Sequence, residues 1–149
     1  MTVPRASYRQ TLNRSIYTLT MFENNLITTE NEILKAIPGF PGYLASNQGR
    51  VYSLKNNRFL TIEHRAKYDY IYLSVNGKSR GRRLNRIVAL AFCPKTEEQI
   101  EAHHKDRNRR NNRANNLMWV TPHQHKSIHR EFEKELKANK DRSKAGDNK

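Results

Sequence analysis

The sequence predicts an α+β chain in which a small antiparallel sheet with one helix precedes a strand–loop–strand–helix unit. Three observations predict it. Residues 67–75 alternate, with Ile71, Leu73 and Val75 on one side and Tyr68, Tyr70 and Tyr72 on the other, and Asn76-Gly77 follows as a hairpin turn. Leu84, Ile87, Val88, Ala91 and Phe92 recur at helical spacing, and Pro94 stops that helix. Thr121-Pro122-His123-Gln124 announces a second helix, with Thr at the N-cap, Pro at the first helical position and Gln three residues after the cap.

Taken in order, residues 1–34 show no sustained periodicity and are expected to be a flexible leader. Arg5, Arg9 and Arg14 among several Ser and Thr resemble a transit peptide, but a disordered leader is the plainer account, and Met21 is a second candidate start. Structure is expected to begin at Ile37-Pro38-Gly39-Phe40-Pro41-Gly42-Tyr43, where Pro and Gly mark a turn. Strands follow over residues 43–46 and 50–54, joined by Asn47-Gln48-Gly49, with a third over residues 59–63. Residues 67–75 and 78–84 make the hairpin. A two-residue turn there pairs Val75 with Lys78 and Leu73 with Arg80, which puts cations on the aliphatic face. Either the turn is longer or the arginine stems run over the apolar surface. Further on, residues 100–104 and 117–121 read as strands around a polar loop. The second helix is expected to run to about residue 139, with a disordered basic tail over 140–149.

The chain has 149 residues, a 36% hydrophobic content and a net charge of +14, with mean hydropathy −0.96. The core is therefore thin, and a metal or partner would help to hold it. Residues 47–125 carry 16 basic and 6 acidic groups, so the excess is concentrated where the periodic segments lie. A folded surface of that kind attracts a polyanion; a ribosomal-type or merely soluble basic protein is the plainer alternative. The one cysteine, Cys93, excludes an internal disulfide and a cysteine-based zinc site. No apolar stretch reaches membrane-spanning length.

Five of the six histidines fall between residues 103 and 129. His125 and His129, four apart on the capped helix, share a face, and His123 points elsewhere. His103 and His104 end a strand, where alternation sends them to opposite sides. One of the pair can join the helix histidines on a metal while the other stays free to move a proton.

The run Glu101-Ala-His-His-Lys-Asp-Arg-Asn-Arg-Arg-Asn-Asn-Arg-Ala-Asn-Asn-Leu-Met-Trp-Val-Thr-Pro-His-Gln-His resembles the HNH motif of phage and intron homing endonucleases. Upstream, residues 37–54 resemble the β-rich DNA-binding module that precedes this motif in such enzymes, and Leu84–Phe92 resembles the helix between the two. The likeness covers about residues 35–130. It implies a DNA-binding module over 35–95 and a ββα-metal nuclease core over 96–139. It also implies His104 as general base, His103 and His125 as metal ligands, His129 as a further ligand, and Asn116 as the Asn that braces the loop. Arg107 departs from the pattern, which has a small residue, often Gly, at that place, and Asn85 replaces a common His.

The activity implied is that of a metal-dependent DNA endonuclease, leaving 5′-phosphate and 3′-hydroxyl ends. One divalent ion is expected, Mg2+ or Mn2+ foremost, with Zn2+ or Ni2+ compatible with histidine ligands. The implied partner is double-stranded DNA in a host-cell cytoplasm, met by a monomer or weak dimer with no membrane. Arg82, Arg83, Arg109, Arg110 and Arg113 are expected to hold phosphates. A non-catalytic DNA-binding protein on the same scaffold competes with this reading, as does a nuclease serving phage genome packaging.

Overall fold

A computed structural model describes residues 20–22, 25–29 and 32–146. Six strands follow one another as an antiparallel meander: β1 (Thr20–Phe22), β2 (Asn25–Thr29), β3 (Glu32–Ala36), β4 (Tyr43–Ser46), β5 (Val51–Ser53) and β6 (Arg58–Phe59). A second antiparallel sheet holds β7 (Glu63–His64), β8 (Asp69–Val75) and β9 (Lys78–Arg83). Helix α1 (Leu84–Phe92) leads to the paired strands β10 (Glu101–His104) and β11 (Leu117–Val120), and α2 (Pro122–Gly146) closes the chain.

The core sits around α1. Leu84, Ile87, Val88 and Ala89 pack with Ala45 and Val51 from the first sheet, Ile71 and Leu73 from the second, and Leu117 and Trp119 from β11. One helix thus joins all three sheets. Trp119 is buried and donates its indole N–H to the carbonyl of Ala89 at 3.1 Å, so it belongs to this core. Cys93, half-buried, ends α1 before Pro94 and turns its thiol to the carbonyl of Leu117 at 3.4 Å. Its extended backbone, ψ 126, is what a residue before proline adopts.

The hairpin turn has two residues. Asn76 and Gly77 take φ of 51 and 75, the left-handed pair that matches strand twist, and Val75 pairs with Lys78, Leu73 with Arg80. Arg80 and Arg82 therefore share the face of Ile71 and Leu73 yet stay exposed. The Arg82 guanidinium lies over the Phe40 ring at 5.8 Å. The cations run across the edge of the core with their heads in water.

Three expectations need correction. Strands β1, β2 and β3 occupy part of the segment read as a flexible leader; residues 1–19, 23–24 and 30–31 lie outside the described residues. Strand β3 escaped a hydropathy reading because its pattern is partly inverted: Glu32 is buried, and Ile33 is 39% exposed. The Glu32 carboxylate is tolerated because Arg50 and the Ser46 hydroxyl donate to it. The strand expected over 59–63 is split between two sheets, since half-buried Leu60 and Ile62 turn into the main core between β6 and β7. Finally, α2 continues to Gly146 through the residues expected as the start of a disordered tail. Lys, Glu and Arg, all good helix formers, recur along α2, and no Gly or Pro stands between Pro122 and Gly146; residues 147–149 lie outside the described residues.

Gly49 shows how tightly the halves meet. Its φ is +82, and a Cβ there would stand 2.8 Å from the backbone carbon and oxygen of Asn112. The adjacent Asn47 carbonyl accepts from the Ala114 N–H at 2.9 Å, so the β4–β5 turn lies against the polar loop. Gly49→Ala should therefore cost about 2 kcal/mol or more of unfolding free energy, from backbone strain and overlap together. Urea unfolding measures this; a variant as stable as the parent would show that the turn and loop move apart freely.

Candidate active site

The two histidines that end β10 face opposite ways, as a pleated strand requires. His103 turns toward α2, where its ring meets those of His125 and His129 at centroid distances of 5.1 and 5.9 Å. One ligand atom from each of these three lies within 4.8 Å of the others. The α2 pair is set by a capping box: Thr121 accepts from the Gln124 N–H at 3.1 Å, and Gln124 accepts from the Thr121 N–H at 2.9 Å. His123 is exposed outside the cluster.

Glu101 orients His125. Its carboxylate accepts from Nδ1 at 2.6 Å, which leaves Nε2 of His125 facing Nε2 of His129 at 3.2 Å. A carboxylate behind a ligating imidazole fixes its tautomer and raises its basicity. Two imidazole nitrogens on one tetrahedral ion, at bonds of about 2.0–2.1 Å, stand roughly 3.3 Å apart. The His125–His129 pair thus already stands at the spacing one ion requires, and a ligand atom of His103 lies within 4.8 Å of both. Burial, reinforced by the neighbouring histidines and Arg107, pushes His103 down to about 4, so at neutral pH it presents an uncharged ring.

His104 turns the other way and is also buried. Its Nε2 lies 3.1 Å from Oδ1 of Asn112, whose amide nitrogen donates to Asp69 at 2.9 Å. A carboxylate only accepts, so Asn112 must turn its NH2 to Asp69 and its oxygen to His104. That oxygen accepts from Nε2–H, and in the neutral ring Nδ1 keeps its lone pair. Burial holds His104 below the ordinary imidazole range. The Tyr68 ring stacks beside it at 6.4 Å.

Asn116 is buried and faces the loop. Its side chain accepts from the Asp106 N–H at 3.0 Å and donates to the Asp106 carboxylate at 2.9 Å and the Asn111 carbonyl at 2.8 Å. The expected phosphate-binding arginines are dispersed. Arg109 and Arg110 line the cleft, of about 460 Å3, that contains His103, His104, His125 and His129. Arg110 is engaged by Asp69 and the Arg65 carbonyl. Arg83 and Arg109 flank the Tyr68 ring at 4.5 and 5.2 Å. Arg82 sits over Phe40 on the opposite face of the hairpin, and Arg113 is exposed at the N-cap of the short 3-10 turn before β11.

Sequence reasoning missed Glu101, Asn112 and Asp69. Glu101 carried a signal, since it stands two residues before His103 and so on the same strand face. Asp69 carried none: it lies 43 residues from Asn112, and only the packing of two sheets brings them together.

Strand β10 and helix α2 bring three imidazoles together, beside a separate buried imidazole on the same strand, in a strand–loop–strand–helix frame that could hold a metal. Residues 82–127 match the HNH endonuclease family. It is 41% identical over 91 residues to the DNA endonuclease I-HmuI of Bacillus phage SP01, covering 58% of this chain and 51% of that protein. It is 38% identical over 98 residues to the H-N-H endonuclease F-TflII of Escherichia phage T5, covering 64% and 51%. A solved structure of the HNH homing endonuclease I-HmuI, described for DNA binding and cleavage, matches with TM-score 0.60 and 34% identity, over 72% of this chain and 64% of that one. The chain spans about half the length of these curated relatives. Among the described residues no helix is long and apolar enough to cross a membrane.

The depressed His103 has a consequence for the metal-free protein. Below about pH 6.5 the unfolded chain takes up a proton that folded His103 refuses until about pH 4, so stability falls with pH across that window. Stability in chelator should drop by roughly 2 kcal/mol between pH 7 and pH 4.5 from this group, and His103→Gln should flatten the slope. Urea titrations at several pH values test it; equal slopes for parent and variant would contradict it.

Proposed function

We propose that the chain is a metal-dependent DNA endonuclease of the homing kind, with His103, His125 and His129 as metal ligands and His104 as general base. The observation that carries this is the division at the end of β10. His103 joins two imidazoles on α2, while His104 is held apart with an acceptor on Nε2 and a free Nδ1. A protein that only bound DNA would have no use for a buried, uncharged imidazole poised in this way.

In this reading Nδ1 of His104 takes the proton from the attacking water, whose oxygen displaces the 3′ oxygen and leaves 5′-phosphate and 3′-hydroxyl ends. The bound ion would stabilise negative charge on the phosphate and the departing oxygen. Three imidazole donors favour Mn2+, Ni2+ or Zn2+ over Mg2+, which prefers oxygen ligands. Asn116 keeps the loop in shape behind the two strands. Arg83 and Arg109, standing over Tyr68 at the mouth of the cleft, are the best placed of the expected arginines to hold the duplex backbone. Arg82 and Arg113 would add charge at a distance, and Arg110 acts first on Asp69. One ligand set makes one site, so a monomer nicks a single strand per visit.

His104→Ala should keep divalent-ion binding and lose cleavage by at least about 100-fold, the usual scale for a lost general base. His103→Ala and His125→Ala should lose ion binding and cleavage together. Calorimetric Mn2+ titration beside conversion of supercoiled plasmid to open circle decides the matter. Normal cutting by His104→Ala, or loss of the ion in that variant alone, would refute the assignment.

A further inference from the structure

Arg107 sits where its backbone does not want it. Its φ is 64, and the other non-glycine residues with positive φ among those described, Asn57 and Asn76, are asparagines. Asparagine tolerates the left-handed region and glycine enters it freely, whereas a long L side chain pays strain there. The turn itself asks for nothing from the side chain: the Arg107 N–H bonds to the His104 carbonyl at 3.0 Å, and Asp106 caps the Asn108 N–H at 2.8 Å. Glycine would build this turn at less cost. A strained residue that persists at a site is a pointer to function.

The side chain goes to the reacting centre. Its guanidinium carbon lies 3.4 Å from the centroid of the Phe132 ring, and Arg107 lines the same cleft as the four histidines. Phe132 follows His125 and His129 by seven and three residues, so the ring stands on the helix face that carries those imidazoles. Among the described residues no carboxylate lies within ion-pair distance of Arg107, unlike Arg50, Arg65 and Arg110. The cation is thus oriented by stacking, with its hydrogen-bonding edge left for a ligand.

We propose that Arg107 is a phosphate-gripping residue of the cleft, its planar guanidinium held on Phe132 and donating to non-bridging oxygens of the phosphate under attack. Two parallel N–H donors match two phosphate oxygens, and charge on those oxygens rises as the water adds. The contact therefore strengthens toward the transition state and acts on the chemical step more than on duplex affinity. The inference rests on the nuclease reading above. It adds a residue at which this chain departs from the pattern that the family resemblance implies.

The test is Arg107→Gly, read by thermal melting, duplex affinity and plasmid nicking with Mn2+ at saturating DNA. The glycine relieves the backbone, so melting should stay at or above that of the parent. Duplex affinity should change less than threefold while kcat falls at least tenfold. Phe132→Leu should lower kcat in the same direction by a smaller factor. A glycine variant that melts normally and nicks within twofold of the parent overturns the proposal and leaves the nuclease reading intact. A parent protein that leaves plasmid uncut with every divalent ion tried overturns that reading, and this inference with it. If Arg107→Gly melts early, Arg107→Lys decides: the charge without the planar fork should lose at least threefold in kcat with normal melting, and full activity overturns the proposal.

Discussion

A single buried carboxylate, Asp69, ties the β7–β9 sheet to the loop between β10 and β11. It stands at the start of β8, 4% exposed, and it accepts from His64 at 2.7 Å, from Asn112 at 2.9 Å and from the Arg110 guanidinium. A buried charge is costly unless it is surrounded by donors. Here every donor arrives from a defined direction, so satisfying the charge also fixes geometry. Arg110 and Asn112 belong to the loop between β10 and β11, and Asn112 passes the constraint to His104. The tautomer of the proposed base therefore depends on a residue of another sheet.

The same contact is reinforced from two other directions. Helix α1 contributes its buried face to all three sheets, Gly49 lies against Asn112 without room for a methyl group, and Asp69 bridges the same contact. In a chain of net charge +14, the two histidines that end β10 are biased against carrying charge. Burial opposes protonation of His103 and His104, which leaves lone pairs where ligands and a base need them. Among the cations, Arg83 and Arg109 stand over Tyr68 and Arg107 lines the cleft, where a polyanion would meet them.

What could be read from the sequence was what short-range periodicity controls. The Asn76-Gly77 turn announced the hairpin, though its register was left open, the Thr121–Gln124 box set the phase of α2, and alternation at His103 and His104 sent the pair to opposite sides. All three rules act within a few residues. The failures have the opposite character. Strand β3 hides a glutamate inside the first sheet because Arg50, 18 residues away, comes to meet it. Leu60 and Ile62 alternate with Thr61 and Glu63, yet the chain crosses between sheets there. Asn112 looked like one polar loop residue among many, and its partner Asp69 could be found only once the sheets were packed. Arg107 was visible as an oddity at a position that usually takes a small residue; its left-handed backbone explains the usual choice, and the Phe132 stack explains the exception.

The division of labour between His103 and His104 rests finally on register. Strand β10 pairs with β11 so that His103 faces Met118 and His104 faces Leu117. A slip of one residue would send each imidazole to the other side, putting the proposed base among the ligands. Hydrogen bonds at the loop end resist this: the Lys105 N–H donates to the Asn116 carbonyl at 2.8 Å, and the Asn116 side chain clasps Asp106 and Asn111. At the other end Trp119 is buried in the α1 core and hydrogen-bonded to Ala89. Asn116 thus acts from the loop, by holding the register on which the proposed identity of base and ligand depends. A residue with no contact to the cleft can therefore be as necessary to the site as the imidazoles themselves.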